Sequence, residues 1–128
     1  MFSKRHVLIA LCVGLAIVQG CRQRNETAPD LTLTHEVSPQ PPRTGQVTIT
    51  LRLTDTSGTA VTGARIKLEG NMSHAGMAPV FADANEIEPG RYQSSMELTM
   101  AGDWHVSVRV TLPDGRQFER QFEIDGVG

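Results

Sequence analysis

Cysteine is nearly absent: the 128 residues hold only Cys12 and Cys21. Cys12 falls inside an apolar run that reads as an export signal, so one thiol survives in the mature chain. That excludes an intrachain disulfide and a cysteine-based zinc site. Positive charge is also scarce, with 12 Lys and Arg against 14 Asp and Glu. Removing residues 1–20 takes Lys4 and Arg5 and leaves 10 against 14, a formal charge of −4. This balance gives no support to a nucleic-acid partner, which would want a basic face. Catalytic signatures are missing too. There is no nucleophile elbow, phosphate-cradling glycine loop, HExxH or CxxC, and the carboxylates are scattered over outward strand positions and turns. The expectation is a protein that is not an enzyme.

The start of the chain is informative. Lys4 and Arg5 precede "VLIALCVGLAIV", residues 7–18. This run is too short for a confident membrane span and has the flanks of a signal peptide. It ends in "VQGC", with Gly20 before Cys21, which resembles the lipobox of bacterial lipoproteins; Gln19 stands where a small residue is usual. The predicted organisation is therefore a lipoprotein signal peptide over 1–20, a flexible tether over 21–30 and one domain over 31–128. Cys21 is the predicted lipidation site, making the membrane a partner through its acyl chains. As a flexible coil the tether spans about 15–20 Å. Arg22, rather than Asp, after Cys21 leans towards the outer membrane of a bacterial envelope, with the domain on the periplasmic side.

Beyond residue 30 no convincing helical stripe occurs, and the hydrophobic period is two. "QVTITLRLTD" sets Val47, Ile49, Leu51 and Leu53 against Thr48, Thr50, Arg52 and Thr54. "WHVSVRVTL" sets Trp104, Val106, Val108, Val110 and Leu112 against His105, Ser107, Arg109 and Thr111. Both patterns predict half-buried antiparallel strands. Weaker strand patterns cover 31–37, 64–72, 80–87, 91–99 and 117–124, separated by "PQPPRTG", "DTSGTAVTG", "EPGR", "MAGD" and "PDGR". About seven short strands so punctuated predict an all-β, immunoglobulin-like antiparallel β-sandwich, with Trp104, the one tryptophan, in its core.

One stretch interrupts the strands with donor atoms. "NMSHAGMAPV", residues 71–80, carries Met72, His74 and Met77 within six residues. Thioethers are soft and imidazole borderline, so the set suits Cu(I), and copper is the candidate cofactor. Gly76 relaxes the loop and Pro79 stiffens its exit. Against this, Met72 shares the parity of Ile66 and Leu68 and fits equally as a core filler. Met100, opening the "MAGD" turn, and His105, outward on the strand after it, are second-rank candidates. Met96 reads as core, and His35 carries no signal.

Residues 68–115 also resemble the YtkA-like domain shared with FixH-type proteins. The matching elements are Met72-Ser73-His74-Ala75-Gly76-Met77, Pro89-Gly90-Arg91-Tyr92 and Met100-Ala101-Gly102-Asp103-Trp104. With the upstream strands the likeness covers roughly 31–125. It implies a small sandwich on the outer side of a bacterial cytoplasmic membrane, associated in some members with copper delivery or respiratory oxidase assembly. A copper donor or acceptor, or another envelope protein, is then the implied partner. FixH proper is anchored by a transmembrane helix, whereas this chain reads as a lipoprotein. The alternative function is a metal-free interaction module of a cell-envelope complex. It draws on "TDTSGTAVTGARIKLEG", which is similar to the opening of many extracellular prealbumin-like or immunoglobulin-like modules.

Overall fold

The computed structural model describes residues 30–74 and 76–128. The predicted signal segment, Cys21, the tether up to Pro29, and Ala75 in the methionine loop lie outside the described residues. Seven strands follow in chain order: β1 (Leu31–Ser38), β2 (Gly45–Asp55), β3 (Arg65–Met72), β4 (Val80–Glu88), β5 (Arg91–Leu98), β6 (Gly102–Thr111) and β7 (Gln117–Val127). Each predicted strand is present. The main differences are that β6 begins two residues before Trp104 and β7 runs three past Ile124.

Every pairing is antiparallel, in the order β1-β2-β5-β4-β3-β6-β7. Because β4 pairs with β5 on one side and β3 on the other, the two layers are continuous and the sheet curls almost closed around its core. The outer strands β1 and β7 meet by side chains. His35 stacks on Phe122 with ring centroids 4.0 Å apart, and burial there pushes the His35 imidazole below its ordinary pKa. Below this seam Thr44 N–H donates to the Gly128 carbonyl at 2.8 Å.

The period-two patterns bury the expected faces. Val47, Ile49, Leu51 and Leu53 of β2 face Trp104, Val106, Val108 and Val110 of β6 across the core, joined by Ile66, Leu68, Tyr92, Met96 and Leu98, all fully buried. Each such side chain contributes about 1.5–3 kcal/mol relative to exposure. Gly70 interrupts the apolar series of β3 for a steric reason: a Cβ there would lie 2.9 Å from Met96 Sδ and 3.4 Å from Trp104 Cε3. The missing side chain is what admits the indole.

Antiparallel alternation sends the connections to two ends. One end gathers Asp30, the 56–64 loop, the Pro89–Gly90 turn and the 112–116 turn. The other gathers the 39–44 loop, the 73–79 loop, the 99–101 turn and Gly128. The eight residues of β3 separate them by about 25 Å.

The first end is held by polar staples. Tyr92, buried on β5, donates its hydroxyl to the Val61 carbonyl at 2.8 Å and accepts from Ala64 N–H at 3.1 Å. Burial raises the pKa of this phenol. Glu86 accepts from the N–H groups of Gly90 at 3.1 Å and Gly63 at 3.2 Å, and these bonds lower its pKa. Asp55 accepts from the backbone of Ser57 and Thr59, and Asp114 from that of Arg116. The loops here are fastened to the strands that carry them.

Candidate functional site

The donors singled out in the sequence lie at the other end. Met72 is the last residue of β3 and sits opposite Trp104 of β6. It keeps the inward parity of Ile66 and Leu68 and is 8% exposed, so the core reading of Met72 describes its position. Its methyl group reaches the 99–102 turn, where a Cβ on Gly102 would come within 2.8 Å of Met72 Cε. Gly102 also has φ +129°, a conformation that side-chain-bearing residues avoid. Glycine there shapes the backbone and leaves room for the thioether.

Past Met72 the chain leaves the sheet. His74 is exposed, and Met77 is half-buried against the edge of the core. Met100 stands 46% exposed in the adjoining turn, and its carbonyl accepts the Trp104 indole N–H at 3.0 Å. That bond ties the turn to the largest core side chain and satisfies the one polar atom of the ring. Met96 is fully buried beside Gly70 and is core, as its parity predicted.

His105 lies elsewhere in direction though close in register. It pairs with Asn71 across β3 and β6 and points to the outer face, away from Met72. It is not a bare solvated residue. Its Nδ1 lies 3.2 Å from Glu123 Oε1 on β7, and its Nε2 lies 2.8 Å from the hydroxyl of Ser73, the first residue of the methionine loop. A carboxylate cannot donate, so Nδ1 carries the proton and donates it to Glu123. In the neutral ring Nε2 then accepts from the Ser73 O–H. The structure therefore brings Met72, the loop with His74 and Met77, and the Met100 turn to one end, and places His105 against the root of that loop from the opposite face of the sheet.

Three participants were not singled out in the sequence: Ser73, Gly102 and Glu123. Glu123 was accessible through the "PDGR" turn. That turn pairs Thr111 with Gln117, and counting back along the hairpin sets His105 opposite Glu123. The Ser73 contact depends on the pairing of β3 with β6, strands more than 30 residues apart, and no local signal encodes it.

Among the described residues, no group of three His, Cys, Asp or Glu side chains is placed to hold one ion.

Comparisons with known proteins show the family, and several solved structures share a distant likeness. Among solved structures, the chain is similar to the PmoD soluble domain from Methylocystis sp. at 16% identity and a TM-score of 0.48, covering 77% of this chain and 90% of that one. It is similar to MtrC from Shewanella baltica at 16% identity and a TM-score of 0.47, covering 77% of this chain and 22% of that one. Murine CRIg matches at 15% identity and a TM-score of 0.42, over 73% of this chain and 95% of that one. No curated protein matches the sequence. The YtkA-like family matches residues 27–109, well over half of the chain and spanning the methionine loop, the Pro89-Gly90 turn and the turn into β6; the protein belongs to the YtkA-like family.

Proposed function

We propose that this chain is a membrane-anchored, extracytoplasmic accessory protein that holds Cu(I) and passes it on, with Met72, His74 and Met77 as ligands and Met100 as a further thioether at the rim. It acts as a carrier and not as a catalyst. The observation that supports this most is the gathering of soft donors at one end of the sandwich, where the loop bearing His74 and Met77 springs from Met72 beside the Met100 turn. Bound copper would supply a transferable soft cation. The protein's part is to hold thioethers at the margin of a rigid core, so that the site needs little reorganisation.

The position of this end suits transfer. The described chain begins at Asp30 on the opposite end, about 25 Å away along the strands. With Cys21 acylated in the periplasm, the anchor would lie at the stapled end and the donors would face away from the bilayer towards a protein partner. A role in copper handling or in respiratory oxidase assembly, as in FixH-type proteins, fits this orientation.

The test is a Cu(I) titration of the purified full chain in detergent, competed against a chromophoric chelator. Binding that the His74 and Met77 double alanine variant loses supports the assignment. No Cu(I) binding at micromolar protein would end it. A second reading, a metal-free interaction module, is favoured by Phe81, which stands 70% exposed on the outer face of β4 beside a cleft of about 140 Å³ lined by Lys67, Glu69, Arg109 and Glu119.

A further inference from the structure

The hydrogen-bonded series Ser73, His105, Glu123 has no part in the Cu(I) set, yet it has the form of a prepared ligand. Histidines that ligate metals commonly donate their second ring N–H to a carboxylate, which fixes the tautomer and raises the basicity of the other nitrogen. Glu123 Oε1, 3.2 Å from Nδ1, does this for His105. The lone pair so fixed is on Nε2, which points at the Ser73 hydroxyl 2.8 Å away. His105 is held by ladders on both sides, to Asn71 of β3 and to Glu123 of β7, so its backbone is rigid. Both side chains are about half exposed, at 50% and 59%, so the imidazole stands within reach of an ion from solution. The same order of groups serves nucleophilic serines in enclosed sites. Here all three side chains stand in solvent, and a cation is the better match.

We propose that His105 is a nitrogen ligand for oxidised copper, Cu(II), taken up on the outer face of the methionine loop together with the imidazole of His74 and the hydroxyl of Ser73. The inference rests on the copper reading above and extends it to a second oxidation state. Cu(II) favours nitrogen and oxygen donors, and Cu(I) favours thioethers. Met72 points into the sandwich and His105 out of it, and Ser73 and His74 follow Met72 directly in the chain. The loop therefore rests Met77 against the core and turns the Ser73 hydroxyl to His105, with the exposed His74 next in the chain after Ser73. On uptake the Ser73 hydroxyl gives up its hydrogen bond to Nε2, and the ion takes that lone pair. The proton stays on Nδ1, hydrogen-bonded to Glu123, so the imidazole releases none.

The experiment uses the full chain in detergent, loaded with copper(II) sulfate alone and, separately, with chelator-buffered Cu(I). Pulsed electron paramagnetic resonance counts the coordinated imidazoles. Two imidazoles are expected on Cu(II) in the unmodified chain and one in His105→Ala. His105→Ala should weaken Cu(II) at least about 10-fold and leave Cu(I) affinity within about 3-fold. Glu123→Gln keeps the ligand and removes the charged acceptor, and should weaken Cu(II) by about 10–100-fold. An unmodified chain with no histidine-bound Cu(II), or a His105→Ala variant with unchanged imidazole count and Cu(II) affinity, would overturn the inference. In that second case Cu(I) binding lost in the His74 and Met77 variant would leave the first reading intact. Absence of Cu(I) binding alongside Cu(II) held by His105 would remove the first reading instead. The imidazole count on the unmodified chain needs no variant to fold.

Discussion

The two ends of the sandwich are built from the same strands and closed by opposite chemistry. At the Tyr92 end the loops are stitched by a buried phenol and by Glu86, Asp55 and Asp114, each accepting backbone N–H groups. At the Met72 end the 73–79 loop makes one side-chain hydrogen bond between described residues, from Ser73 to His105, and otherwise rests Met77 on the core margin. Polar staples fix a loop in one conformation because an unpaired backbone group is costly. Thioethers give packing without direction, so the same atoms serve a core or an ion. The difference leaves one end fixed by directional hydrogen bonds and the other resting mainly on apolar packing.

The contrast is sharpest in stability measurements. Trp104→Ala should cost about 3–5 kcal/mol, because its ring is fully buried and holds the Met100 turn. Chemical denaturation checks this, and a loss below about 1 kcal/mol would mean that the Met72 end does not share the core. Tyr92→Phe should cost about 1–3 kcal/mol, since it leaves the Val61 carbonyl and the Ala64 N–H without their partner. Hydrogen exchange should quicken at Ala64 and stay unchanged at residues 73–79; equal changes at both ends would break the comparison.

Acid should act on the stapled end first. The folded-state pKa of Glu86 lies below its ordinary value because Gly90 and Gly63 bond the carboxylate. Its stabilisation is therefore complete above the unfolded carboxylate pKa and is lost as pH falls through the lower folded value. Asp114, lowered by the backbone and side chain of Arg116, has the same sign. Amide exchange followed from neutral to acid pH should show residues 61–64 and 112–116 loosening before the Trp104 neighbourhood. Smallest in stability is the pair His74→Ala and His105→Ala, each expected within about 0.5 kcal/mol at exposed positions. Their effect should appear only in copper titrations. A thermal melt displaced by several degrees would make either histidine a structural residue.

Much of this was legible in the chain because strand periodicity is local. The alternation of β2 and β6 declared which residues face inward, and the turn dipeptides bounded the strands to within three residues. The placing of Met96 in the core and of His105 on the outer face followed from parity alone. Where parity met a loop it lost force: His74 continues the inward phase of Met72, but the strand ends at Met72 and His74 is exposed.

The sequence by itself determined the all-β class, the number of strands, the buried face of each and the cluster of soft donors between β3 and β4, since these depend on residues within a few positions of one another. Tertiary structure alone decided that β4 joins the two layers, that the donor loop lies opposite the end where Asp30 enters, that Met72 reaches the empty space at Gly102, and that Ser73 meets His105. Those relations come from pairing strands distant in the chain, where register is set by the packing of a whole face and carries no mark in any short stretch of residues.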